Sequence, residues 1–211
     1  WEENAPQALV LEPARELAVQ VSEEMFHIGR KRRLKVPVVF GGFPIDKQIR
    51  TLRQKSHIVA GTPGRVMDHI CRGSLKLSGI QWLGIDEADL MLDTGFIDEV
   101  KQILSLVPAG CGISLFSATL KLEIRELTDE FISEVVLVMQ EAKEEQAPAI
   151  TEKIYFTGQE SKYDTFLDVL MDENPQSCMI FCGTREMTNV LFQKLRRKQI
   201  FCGMLHGDME Q

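Results

Sequence analysis

The chain has 211 residues, 44% of them hydrophobic and 26% charged, enough apolar material for one substantial domain or two small ones and too much for a fully disordered chain. No apolar run approaches the roughly 20 residues that a membrane helix needs, and no repeat or low-complexity stretch occurs, so a soluble globular protein with no membrane partner is expected. The net charge of −7, from 24 Lys and Arg against 31 Asp and Glu, disfavours a polyanionic partner only on average: residues 30–76 hold twelve basic residues against two acids, and residues 80–145 hold four against fourteen. A locally positive region therefore remains to meet phosphates.

Trp1-Glu2-Glu3-Asn4 carry no initiator Met and run almost at once into an apolar stretch, so the numbering is expected to start partway through a domain. Near-continuous apolar or β-branched runs then predict strands at 8–12, 36–40, 57–60, 80–85, 113–116 and 134–138, of the kind buried on both faces. Amphipathic patterns between them predict helices at about 14–29, 45–55, 64–72, 95–106 and 121–132. Strand and helix in alternation give an α/β fold, a parallel sheet with helices on both faces, in which ligands meet the C-terminal ends of the strands. At 140–148, QEAKEEQAP, the apolar periodicity gives way to charge and a Pro, the composition of a linker. Strands at 153–156, 177–181 and 201–205 and helices at about 161–172 and 185–198 then open a second α/β unit. Domains are accordingly drawn at 1–138 and 151–211, joined by a linker at 139–150, with the second cut short at its C-terminal side.

The run Trp82-Leu83-Gly84-Ile85 delivers Asp86, Glu87 and Asp89 at a strand end, where an NTPase would meet Mg²⁺ and a nucleoside triphosphate. Asp86, nearest the strand, is placed to hold Mg²⁺ through water, with Glu87 beside it to orient the attacking water. The same acids would equally cap the next helix and meet its dipole. Ser117 and Thr119 follow the strand at 113–116 and are placed either to hydrogen-bond those carboxylates or to cap the helix that follows.

Thr62-Pro63-Gly64-Arg65 after one strand, and Pro13-Ala14-Arg15 after another, both open helices. Each combines helix-start amides with a guanidinium, a reasonable phosphate site, although Pro near a helix start is ordinary by itself. With Gly41-Gly42 at a neighbouring strand end they suggest a track of sugar-phosphate contacts blind to base identity. RKRRLK at 30–35 reads as a solvated helix end without direct contact to RNA. Cys178-x₃-Cys182 and Cys202-x₃-His206 imitate zinc ligands, but four strand residues span about 13 Å, too far for one tetrahedral ion. Those cysteines are expected to be buried free thiols, and five irregularly spaced cysteines with no basic-then-apolar leader predict free thiols in a reducing compartment, the cytoplasm.

Taken in order, Pro13 to Ala18, Gly41-Gly42, Thr62 to Arg65, Asp86 to Asp89 and Ser117 to Thr119 resemble the first RecA-like domain of DEAD-box RNA helicases. Met179 to Thr184 and His206 to Met209 extend the resemblance beyond 150, and wording such as Trp1 to Asn4, Thr62 to Ile70 and Asp168 to Met171 is most similar to the bacterial DbpA-type branch. The resemblance implies an RNA-stimulated ATPase that separates short duplexes, with ATP and Mg²⁺ as cofactors and RNA, ribosomal RNA included, as partner to a monomer. It implies Asp86 and Glu87 at the magnesium and water positions, with Asp89, Ser117 and Thr119 completing the catalytic set. Pro13, Arg15, Gly42, Thr62, Gly64 and Arg65 would match RNA-backbone contacts, joined by Thr184 and Gly207 in the second domain.

Two departures are local: Ala14 stands where the family usually has Thr, and Gly183 is unusual in its segment. A larger one is that no G-x-x-x-x-G-K-[ST] phosphate loop occurs, which points to an interior fragment of a helicase or, alternatively, to a helicase-like protein that binds RNA or a partner without hydrolysis. A RecA-like NTPase acting on DNA is a third option, disfavoured by the resemblance alone. These 211 residues are expected to release no phosphate from ATP on addition of RNA; a phosphate-release assay showing turnover that vanishes in Glu87→Gln would overturn this.

Overall fold

The computed structural model describes residues 5–139, 150–158 and 162–209. It divides into two compact units, Trp1–Gln140 and Glu141–Gln211, each described by itself. Residues 1–4 and nearly all of the expected linker at 139–150 lie outside the described residues.

In the first unit the apolar runs ALVL, IVAG and WLGI become strands because each loses both faces to the core. The strands are β1 (Ala8–Leu11), β2 (Val38–Val39), β3 (Ile58–Gly61), β4 (Trp82–Ile85) and β5 (Gly112–Leu115). They form a five-stranded sheet, all neighbours parallel, in the order β2-β3-β1-β4-β5. Helices α1 (Arg15–Gly29), α2 (Ile45–Leu52), α3 (Pro63–Cys71), α4 (Ala88–Asp93), α5 (Ile97–Leu106) and α6 (Leu122–Phe131) connect or follow the strands. Their apolar spacing decides which face they bury. In α5 the inward residues Val100, Ile103 and Leu104 fall at i, i+3 and i+4, and in α6 Ile124 and Leu127 fall at i and i+3. With Leu9, Leu11, Leu83 and Ile85 from the sheet they form one continuous apolar cluster.

Three sequence expectations are corrected. Apart from these, helix α4, six residues long, follows β4 directly; it is not among the helices expected from periodicity, although the acids read equally as the start of a helix. No strand forms over 134–138, and Val136 is 85% exposed: an apolar β-branched run becomes a strand only where a neighbour takes its backbone hydrogen bonds, and the described ladder ends at β5. In the second unit α7 (Lys162–Glu173) and α8 (Arg185–Arg197) form, but 153–156, 177–181 and 201–205 are not strands, and Phe156 and Phe201 are 95% and 94% exposed. The same loss of sheet pairing overturns the expected burial of the second unit's thiols, with Cys178 exposed and Cys182 and Cys202 half-buried, while all five cysteines are free.

The tightest sheet contact is at Gly61, where a Cβ would come within 2.5 Å of both the Val39 carbonyl oxygen and its Cγ2. Gly61→Ala is therefore expected to destabilise the first unit by about 1–3 kcal/mol through overpacking against backbone, read as a lower urea midpoint with unchanged slope.

Candidate functional site

Leu11 lies opposite both Gly61 and Ile85, and Ile85 opposite Leu115. The next residues therefore reach the C-terminal edge of the sheet as one row, Thr62, Glu12, Asp86 and Phe116. Backbone bonds continue into that row: Glu12 N–H to Gly61 O at 3.0 Å, Asp86 N–H to Leu11 O at 3.1 Å and Phe116 N–H to Ile85 O at 2.8 Å.

Beyond β4 the chain turns sharply into α4. Glu87 is held in the left-handed region at φ 49°, although it is not a glycine. Its amide donates to Asp86 Oδ1 at 2.9 Å, and the Ala88 amide donates across to Phe116 O at 3.0 Å. The Glu87 side chain makes no capping bond, so it does not spend its carboxylate on the helix. Asp89 does the opposite. Its Oδ2 accepts the Thr119 hydroxyl at 2.8 Å and the Thr119 amide at 3.0 Å. The Ser117 hydroxyl accepts from the Asp89 amide at 3.3 Å and donates to Thr119 O at 2.7 Å. Hydrogen bonding, from the Thr119 hydroxyl above all, holds the Asp89 carboxyl below its ordinary pKa. Ser117 thus caps α4 from a neighbouring strand end, whereas the following helix α6 has no side-chain cap.

A second group collects at the ends of β1, β2 and β3. Gly42 adopts φ +81°, and a Cβ there would meet Arg15 Nη1 at 2.7 Å, so the Arg15 guanidinium lies directly over the glycine. Arg65 donates through Nη1 to Phe43 O at 2.9 Å. Thr62 is buried and precedes Pro63 at the first helical position of α3, while Gly64 opens onto free space. Pro13 is buried and Arg15 exposed. Ala14 occupies the N-cap of α1 with no side-chain bond, as its lack of a hydroxyl requires.

A polar network that sequence reasoning missed holds this loop from behind. Gln48 Nε2 donates to Phe40 O at 3.0 Å and Phe43 O at 3.3 Å, which commits both amide hydrogens and turns Oε1 toward His69 Nε2 at 3.2 Å. The buried His69 therefore carries its proton on Nε2 and meets Ser74 Oγ through Nδ1 at 2.8 Å. Burial first, then the nearby Arg65, pushes its pKa below the usual value.

In the second unit Thr184 caps α8 by accepting from the Met187 amide at 3.1 Å. Arg185 pairs with Asp208, and its guanidinium stands 3.7 Å from where a Gly207 Cβ would be, so Thr184, Arg185, Gly207 and Asp208 are neighbours. Among the described residues no group of three or more His, Cys, Asp or Glu is arranged to ligate a metal ion directly, and no helix is long and apolar enough to cross a membrane.

The family model described as DEAD/DEAH box helicase matches residues 1–127, more than half of the chain. The chain belongs to the DEAD/DEAH box helicase family. It is 45% identical over its whole length to the ATP-dependent RNA helicase DbpA of Bacillus subtilis (strain 168), covering 44% of that protein. It is 39% identical to the DEAD-box ATP-dependent RNA helicase CshA of Geobacillus kaustophilus over 99% of this chain and 44% of that protein. A crystal structure of a DEAD box protein from the hyperthermophile Methanococcus jannaschii superposes with TM-score 0.64 at 33% identity, covering 98% of this chain and 55% of that one. The fold is thus the RecA-like α/β fold of DEAD-box helicases, and the chain spans less than half the length of the curated relatives it matches.

Sequence reading passed over one acidic residue of this DEAD/DEAH box chain. Glu12 is fully buried between Thr62 and Asp86 in the edge row, and neither carboxyl oxygen has a hydrogen-bond partner. Burial, reinforced by the charges of Asp86 and Glu87, pushes its pKa up to about 7. The only signal available from sequence was an acid closing an otherwise apolar strand. Because the raised value lies above that of the unfolded chain, the unfolded state loses the proton first and stability falls as pH rises from about 4.5 to about 7. Glu12→Gln is expected to match the parent chain near pH 4.5 and to exceed it by up to about 3 kcal/mol at pH 8. Urea unfolding in Mg²⁺-free buffer at both pH values checks this, and equal stabilities at pH 8 would refute it.

Proposed function

We propose that the chain is the central part of an ATP-dependent RNA helicase, with residues 1–138 contributing the first RecA-like domain, 139–150 the connection and 151–211 the start of a second. The observation that carries this reading is the Asp89 bridge: one four-residue turn holds Asp86 and Glu87 free of capping duty while its last acid is tied to Thr119 and Ser117 behind β5.

Of the Asp86 carboxylate, Oδ1 is engaged by the Glu87 amide, which leaves Oδ2 to receive a ligand. A carboxylate oxygen of Asp86 with the exposed Glu87 carboxylate beside it is a hard oxygen donor set of the kind that suits an ion keeping several of its waters, as Mg²⁺ does. Asp86, with Glu87 beside it, would hold hydrated Mg²⁺, which supplies charge neutralisation for the phosphates of ATP. Glu87 is exposed and uncommitted, and it would accept the hydrogen bond of the attacking water and orient it. Asp89 acts at one remove by fixing Thr119 and Ser117, so a shift of the acidic turn is transmitted to the end of β5.

Arg15, Gly42, Thr62, Gly64 and Arg65, shaped by the buried Pro13, would take the sugar-phosphate backbone of RNA in the first unit, and Thr184 and Gly207 would take it in the second. Backbone contact carries no base code, so ribosomal RNA is among the substrates this reading admits. Free thiols fit a reducing compartment such as the cytoplasm, and a monomer suffices for the chemistry assigned.

In the full-length protein Glu87→Gln should lower RNA-stimulated phosphate release by about 10²-fold or more while leaving ATP and RNA binding within about threefold, since it removes proton acceptance and not shape. Turnover unchanged by the substitution would refute the role.

A further inference from the structure

The basic run at 30–35 does not stand alone. Its last member, Lys35, donates through Nζ to Gln54 O at 2.9 Å, and its carbonyl accepts from the His57 amide at 3.0 Å at the entry to β3. The segment that follows α2 is thereby fastened beside it. Arg30, Lys31, Arg32, Arg33 and Lys35 are joined by Arg53 and Lys55, all exposed, with no acid in either segment and no ion pair to any of the seven among the described residues. Because the strands are parallel and β3 begins here, this cationic surface lies at the N-terminal end of the sheet, opposite the row that ends in Glu12 and Asp86.

Two of these cations occupy positions that disfavour them. Arg33 and Lys55 have φ of 54° and 58°, where a side chain crowds the backbone and glycine or asparagine is the usual occupant. Arg33 caps the single helical turn at 30–32, Lys55 lies three residues beyond the end of α2, and each carries a long cation there. The two segments expose no apolar side chain between the charges, whereas a protein interface would include apolar anchors.

We propose that residues 30–35 and 53–55 form a second phosphate-binding surface, which takes the backbone of RNA at the end of the sheet opposite the candidate site. The choice of RNA as the polyanion rests on the proposed function; the surface itself does not. It departs from the sequence reading of 30–35 as merely solvated.

Replacing Arg33 and Lys55 together by Gly removes two charges while relieving two unfavourable backbone positions, so the melting temperature should hold or rise. With the 211-residue chain and a fluorescein-labelled oligouridylate, anisotropy titrations over a salt series should show affinity reduced by about 3- to 10-fold, with log K against log salt less steep by about 1.4. Arg65→Gln, at the site end, serves as the comparator. If it weakens binding while the double glycine variant retains the parent's affinity and salt slope, the second surface is overturned and the proposed function stands. Failure of the parent chain to bind the oligouridylate at low salt also overturns it. Exposed Phe26 and Ile28 on the last turns of α1 are what an acidic protein would use, so polyglutamate is the competitor. Binding of polyglutamate in preference to RNA, lost in the double variant, would assign the surface to a protein and overturn the proposal.

Discussion

Because Leu11 pairs with Gly61 and Ile85 in a parallel register, and Ile85 with Leu115, the residues that follow each strand are delivered to one level of the sheet. Side chains separated by more than a hundred positions, from Glu12 to Thr119, are brought to one edge by main-chain hydrogen bonds. The apolar content of the strands makes this register costly to shift. A slip by one residue would exchange the two faces and take the buried Leu9, Leu11, Leu83 and Ile85 away from the side chains they pack against. The precision of the site therefore comes from the core, and the loops that carry its polar groups need only short reaches.

At that edge the acids divide their work according to which hydrogen bonds they have already made. Asp89 is saturated by Thr119 and its neighbours, so it behaves as a strut between β4 and β5. Asp86 keeps one oxygen unengaged, and Glu87 both. Glu12 is in a third condition: enclosed, unpartnered and close to two like charges. A carboxyl in that position prefers its proton, which moderates the repulsion that three ionised groups at one strand edge would otherwise produce. Positive groups collect beside this cluster, at the ends of β1 to β3, and again at the opposite end of the sheet, while Lys121 pairs with Asp93 on α4, so the modest net charge of −7 conceals regions of opposite sign.

Much of this was legible in the residue order. Strand–acid and strand–Pro–Gly–Arg junctions mark where an α/β chain turns at its ligand edge, and the periodicity of Val100, Ile103 and Leu104 identifies a buried helix face. What was not legible had physical reasons. Helix α4 is too short for periodicity to announce it. His69, Gln48 and Ser74 come together only through tertiary packing, and no spacing in the sequence links position 48 to position 69. The apolar runs at 134–138 and 201–205 resemble strands locally, but strand formation depends on a neighbour that local pattern does not specify. The thiols of Cys178, Cys182 and Cys202 were expected to be buried on the same assumption, and failed with it.

Backbone conformation separates functional positions from incidental ones more sharply than charge does. Asn174 and Gln199 also have positive φ, but each directly follows a helix end, where polar residues commonly terminate the turn. Glu87 stands between a strand and a helix, and its left-handed geometry is imposed from two sides, by Asp86 Oδ1 and by the bond from Ala88 to Phe116 O. A glycine would satisfy the same bonds with less strain and would have no carboxylate. A glutamate at a position where glycine would be less strained supports the role proposed for its side chain. Arg33 and Lys55 also have positive φ shortly after helical turns, so what sets them apart for the proposed surface is the long exposed cation that each carries there, without an ion pair among the described residues.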